Sequence, residues 1–149
     1  MYPRVVCFTL ALILGTSATA DEKKKGVNTF ANLSYVVDNS SDQKITFKVR
    51  SAKKTGANLH DLRLVTVKPY GVEDGRDAIY YNTASPVHAT FYLEVQGEDV
   101  AELPILFNTA LDNPTLGSYI NPAREHLDVF VYFDQHDGWV CYGQILPNH

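Results

Sequence analysis

Apolar and polar residues alternate strictly along Lys44–Arg50, with Ile45, Phe47 and Val49 on one side and Lys44, Thr46, Lys48 and Arg50 on the other. A period of two marks a strand with one face buried and one wet. The same period returns over Val87–Val95, where Ala89, Phe91, Leu93 and Val95 oppose His88, Thr90, Tyr92 and Glu94. Further strands are expected at Leu33–Asp38, Leu62–Val67 and Leu103–Phe107, with a short one at Ala78–Tyr81. Pro104 donates no backbone hydrogen bond, which puts its strand at an edge or at a bulge. Polar loops are expected at Asn39–Gln43 and Ser51–His60, a turn centred on Asp74-Gly75, and a long loop over Asn108–Tyr119. Asn121-Pro122 supplies an N-cap and a proline at the first helical position, enough for a single helical turn up to His126.

The last expected element is a hairpin, Leu127–Phe133 and Trp139–Leu146, joined by the polar loop Asp134–Gly138. Pairing Phe133 with Trp139 sets its register. Val131 then faces Cys141, Val129 faces Gly143 and Leu127 faces Ile145, which makes one apolar side. The other side carries Tyr132 beside Val140, Phe130 beside Tyr142, and Asp128 beside Gln144. A slip of one residue would exchange the two sides.

Short strands separated by turn signals, without an amphipathic helix of useful length, predict an all-β fold. The expected form is an immunoglobulin-like antiparallel β-sandwich of seven or eight short strands, with a small β-barrel as the alternative. The immunoglobulin likeness is one of architecture, because the inter-sheet disulfide of antibody domains has no counterpart. Residues 30–149 are expected to form one domain, which suits the length.

The N-terminus changes the picture of where this domain works. Arg4, the apolar run Val5–Gly15 and the small residues Ala18 and Ala20 have the pattern of a cleaved secretory signal over residues 1–20. Residues 21–29 follow as a charged leader opening Asp21-Glu22-Lys23-Lys24-Lys25. The apolar run is shorter than a membrane span, so no stable membrane insertion is expected after cleavage. The expected compartment is exported: secreted, periplasmic or the ER lumen. Loss of Arg4 leaves a mature chain with net charge −5, which argues against nucleic acid as a partner. Loss of Cys7 leaves only Cys141, so the mature domain is expected to hold together without an intramolecular disulfide, with Cys141 buried opposite Val131.

Candidate chemistry centres on the outer side of the hairpin. Phe130, Tyr132 and Tyr142, flanked by Asp128 and Gln144, form an apolar patch rimmed by hydrogen-bonding groups, the composition of an interaction surface. A protein partner is expected first and a carbohydrate next, since flat rings also stack on sugar faces. The competing reading is that both faces of this strand pair are covered, by a loop such as Asn108–Tyr119. A rival function is a metal-dependent or hydrolytic enzyme using His126, Asp134, His136 and Asp137, whose side chains suit a divalent ion but lack a ligand-spacing motif. No nucleophile elbow, paired catalytic carboxylates or phosphate-cradling loop is present, and no cofactor is expected. Asn32-Leu-Ser34 and Asn39-Ser-Ser41 fit the N-glycosylation pattern, with Asn39, in an expected exposed turn, the better acceptor.

Overall fold

Positions that alternate in sequence alternate in burial. A computed structural model of the chain describes residues 4–6, 8–9, 26–52, 59–108 and 119–148. Its strands are β1 (Arg4–Val6), β2 (Phe8–Thr9), β3 (Asn28–Asn39), β4 (Ile45–Ala52), β5 (Leu59–Val67), β6 (Val72–Asn82), β7 (Ala89–Val95), β8 (Glu98–Phe107), β9 (Tyr119–Ile120), β10 (Glu125–Asp134) and β11 (Gly138–Pro147). One sheet has the order β1-β11-β10-β3-β6 and the other β2-β8-β7-β4-β5, with β9 added to β8. The protein is therefore an all-β sandwich, as its patterning predicts. Its pairings are antiparallel except for β3 with β10 and β8 with β9.

The core lies between the sheets. Ile45, Phe47 and Val49 of β4 and Ala89, Phe91 and Leu93 of β7 are buried there, against Leu33, Tyr35 and Val37 of β3 and Leu127, Val129 and Val131 of β10. The rings of Phe47 and Phe91 stack with centroids 5.2 Å apart. Each valine, leucine, isoleucine or phenylalanine among them contributes about 1.5–3 kcal/mol by leaving water. Gln96 and Gly97, at φ 52° and 81°, make the two-residue connection between β7 and β8 that matches strand twist. Pro104 lies on β8 between the stretches paired to β2 and to β9, so its missing N–H breaks no ladder on that side.

The expected turn at Asp74-Gly75 is not a turn. β6 runs through it and pairs with β3 from Asn28↔Asn82 to Asp38↔Val72. Glycine is needed there because the Tyr35 side chain crosses the strand: a Cβ at Gly75 would lie 2.4 Å from the Tyr35 hydroxyl oxygen. That hydroxyl donates to the Asp77 carboxylate at 2.5 Å. Burial, and then the adjacent Asp77, raise the Tyr35 pKa well above the usual phenol value.

Asn39 is also placed differently from expectation. It is fully buried; its Nδ2 donates to the carbonyls of Gln43 (2.7 Å) and Lys68 (3.0 Å), and its Oδ1 accepts from the Ser41 N–H and hydroxyl. A glycan has no room there, so Asn39 is a structural residue, whereas Asn32 is exposed on β3. The sequence Asn121–Glu125 closes one turn, with Glu125 N–H bonded to the Asn121 carbonyl, Ala123 N–H to Asn121 Oδ1 and Asn121 N–H to Glu125 Oε1. It then enters β10. Cys141 is buried as expected and is disulfide-bonded in the full chain. The expectation of a disulfide-free domain concerns the chain after Cys7, a residue outside those described, is gone. Among the described residues no helix is long and apolar enough to cross a membrane.

Candidate functional site

The hairpin adopts the register that its patterning predicts. Phe133 pairs with Trp139, Val131 with Cys141, Val129 with Gly143 and Leu127 with Ile145. Leu127, Val129, Val131, Cys141 and Ile145 point into the core. The complementary positions Asp128, Phe130, Tyr132, Tyr142 and Gln144 therefore share the outer face of the first sheet. The rings of Phe130 and Tyr142 stack at 5.1 Å with 22° between planes. Asp128, Phe130, Tyr142 and Gln144 are half-buried, and Tyr132 is 40% exposed. At the hairpin tip Phe133, expected inward, overhangs the core at 52% exposure and meets Trp139 edge-on at 5.3 Å. The 109–118 part of the loop considered as a cover for this face lies outside the described residues.

Parallel pairing of β3 to β10 extends the face beyond the hairpin. Asp128 lies beside Val36 and Phe130 beside Asp38, and across β3 the next strand places Arg76 beside Ser34 and Asp74 beside Val36. Ser34, Val36, Asp74, Arg76, His126 and Asn148 line a hollow of about 560 Å³. The His126 imidazole is held from two sides, with Nε2 3.4 Å from Asp128 and Nδ1 3.1 Å from Asn148 Oδ1. Arg76 is exposed and, among the described residues, has no ion pair. Beyond the hollow a second ring pair, Phe30 and Tyr80, meets at 5.7 Å. Phe30 and Asp38 each lie four positions along β3 from Ser34, about 13 Å at strand spacing. The outer face thus reads ring pair, polar hollow, ring pair along one strand direction.

Sequence reasoning found the hairpin half of this face and missed Phe30, Ser34, Asp74, Arg76, Tyr80 and Asn148. The period of two in β3 puts Phe30, Ser34 and Val36 on one side. Nothing in the sequence, however, announces that β3 joins β10 in parallel.

The candidate metal residues are not brought together. His126 sits at the start of β10 and Asp134 at its end, eight residues or about 26 Å apart. Asp134 Oδ1 instead accepts the N–H groups of His136 (2.7 Å) and Asp137 (3.1 Å), shaping the hairpin loop. These bonds, that from His136 first, hold the Asp134 pKa below its ordinary value. Among the described residues no group of three or more metal-ligating side chains is present. The proposed centre built on His126, Asp134, His136 and Asp137 is therefore set aside.

No protein-family model matches the chain, and no curated protein matches it in sequence. Function rests on the geometry alone.

Proposed function

We propose that this protein is an exported, non-catalytic binding module that engages a protein partner through the outer face of its first sheet. The observation that carries the reading is the stacked Phe130–Tyr142 pair, set among Asp128, Gln144 and Tyr132 on one side of a correctly registered hairpin. Half-buried rings with hydrogen-bonding neighbours supply contact area at low entropic cost, the property of interface anchors. The adjoining hollow offers Arg76, a cation not already engaged by the described residues. Export rests on the N-terminal pattern of residues 1–20.

A carbohydrate is the second reading, favoured by one specific feature. Two ring pairs flanking a polar hollow would stack sugar faces at either end and bond hydroxyls between. The test is a paired capture from the native exported fraction, using the mature protein and a folded Phe130→Ala/Tyr142→Ala variant, followed by a glycan panel. A protein retained by the first and lost by the second supports the primary reading. A glycan lost in the same way moves the function to carbohydrate recognition. Equal retention by both proteins rules out this face as the binding surface.

A further inference from the structure

β3 carries one of the two N-glycosylation patterns on the outer face of the first sheet. Phe30, Asn32 and Ser34 alternate on the side away from the core, with Ala31, Leu33 and Tyr35 buried between and beyond them. Asn32 is exposed, and its side chain has no hydrogen bond among the described residues. Its neighbour on β6 is Ala78, and pairing of β3 with β10 starts only at Tyr35. The sheet ladders thus place nothing larger than a methyl group beside the amide, which suits a bulky surface modification. The other pattern fails the same inspection, because Asn39 is fully buried with both ends of its amide bonded.

Phe30 supplies the second observation. It is 52% exposed, a large apolar ring on a wet face, with the tilted Tyr80 ring 5.7 Å away. It stands two positions before Asn32 on the same face, about 7 Å along the strand. A pyranose has one apolar face of C–H groups, and a sugar fixed to Asn32 Nδ2 reaches that ring. Stacking there takes both surfaces out of water, which Phe30 does not achieve alone.

We infer that Asn32 carries an N-linked glycan whose first sugar stacks on Phe30. The donor is an oligosaccharide held on a lipid diphosphate. Asn32 Nδ2 bonds to the anomeric carbon and the C–O bond to the diphosphate breaks. The diphosphate leaves with that electron pair, and the displaced amide proton passes to base. Transfer acts on the extended chain as it enters the secretory compartment; the fold then accommodates a glycan at Asn32 and not at Asn39. The Phe30–Tyr80 pair is then covered by the chain's own sugar and is not one end of a carbohydrate-binding face. Phe130 lies beside Asp38, about 20 Å along β3 from Asn32, so the hairpin rings stay outside the first sugar's reach. The inference rests on the export proposed above, through the ER lumen, and not on the hairpin face.

The test expresses the full chain in a eukaryotic secretory cell, once with its own residues 1–20 and once with these replaced by an established signal. Protein recovered from medium and cells is treated with an amidase that removes N-glycans and turns each glycosylated Asn into Asp, then mapped by peptide mass spectrometry. Conversion is expected at Asn32 and not at Asn39, and Ser34→Ala should abolish it. Unconverted Asn32, or conversion at Asn39, overturns the inference. Secretion only with the established signal sinks the export reading, while modification of Asn32 in that protein still scores the site. Stacking is read from the melting temperatures of Asn32→Gln, Phe30→Ala and the double variant. Loss of the glycan should lower the melting temperature when Phe30 is present and leave it nearly unchanged in Phe30→Ala. An equal drop in both backgrounds overturns the stacking.

Discussion

The two outer faces of the sandwich are built from similar strands and differ at their centres in how cations and rings are used. On the second sheet the cations of β4 are spent on neighbouring carboxylates. Lys48 Nζ lies 2.8 Å from both Glu94 and Asp99, and Arg50 pairs with Asp61 at 2.9 Å. The Arg50 guanidinium also lies 5.0 Å from the centre of the Tyr92 ring, and Thr46 meets Thr66 at 3.2 Å. On the first sheet rings meet in pairs, stacked at Phe130–Tyr142 and tilted at Phe30–Tyr80, while Arg76 carries a charge in no ion pair among the described residues. A polar group already satisfied within its own face gains little from a ligand, whereas an unengaged one can gain a full charge-assisted hydrogen bond. The stacked rings and the unengaged Arg76 support the proposal that the first sheet is the binding face.

The largest effect expected lies between the faces and bears on both. Phe47→Ala removes a ring stacked on Phe91 in the core and should cost about 3–5 kcal/mol in denaturant unfolding. A loss below about 1 kcal/mol would show that the sheets do not pack through this ring. Next comes Lys48. Alternation alone assigns it to a wet face, where truncation is worth at most about 0.5 kcal/mol. In the structure its side chain is only 13% exposed and held by two carboxylates. Lys48→Ala should therefore cost about 1–2 kcal/mol, because Glu94 and Asp99 would be left facing each other. Burial lowers the Lys48 pKa, but the bonds to Asp99 and Glu94 outweigh it and the net shift is upward. Its contribution is thus complete below the ordinary lysine value of about 10.5 and is lost only as pH rises beyond it.

What patterning could and could not reveal follows from the range of the forces involved. The hairpin register was legible because pairing and turn are local, and a one-residue slip would have buried Asp128. The core positions of β4 and β7 were legible for the same reason. Gly75 was misread because its cause is a ring from another strand: Asp-Gly looks like a turn until Tyr35 is seen crossing it. Asn39 was misread because a polar residue in a polar run gives no sign that its amide will close over distant carbonyls such as that of Lys68. Half of the outer face was invisible for a topological reason, since the parallel join of β3 to β10 is a long-range event.

His88 tests where the contrast between faces ends. It directly precedes β7 and alternates in sequence with Thr90 and Tyr92, yet its ring is packed against Tyr81 at 4.6 Å and stacked on Phe107 at 6.3 Å. Its Nδ1 accepts the Phe107 N–H at 2.9 Å, which requires that nitrogen to be unprotonated. Burial lowers its pKa, partly opposed by the Thr83 carbonyl. A group with a depressed folded pKa keeps its full contribution above the unfolded value, about 6.5 for histidine, and loses it as pH falls below that. Stability should therefore decline between pH 7 and 5 more steeply than in His88→Asn, whose side-chain oxygen can still accept from Phe107. Parallel pH curves for the two proteins would remove His88 from the account.

The smallest stability effect carries the most information about function. Arg76 and Lys48 are both cations on outer faces, one unengaged among the described residues and the other in two ion pairs. Arg76→Ala should change stability by no more than about 0.5 kcal/mol, because it breaks no ion pair among the described residues. If the hollow contributes to recognition, the same substitution should weaken capture of the partner, while Lys48→Ala lowers stability and leaves capture intact. That crossing of effects is the decisive pattern. A face that merely coats the sandwich would give no capture defect for Arg76→Ala, and the binding surface would then have to be sought away from the hollow.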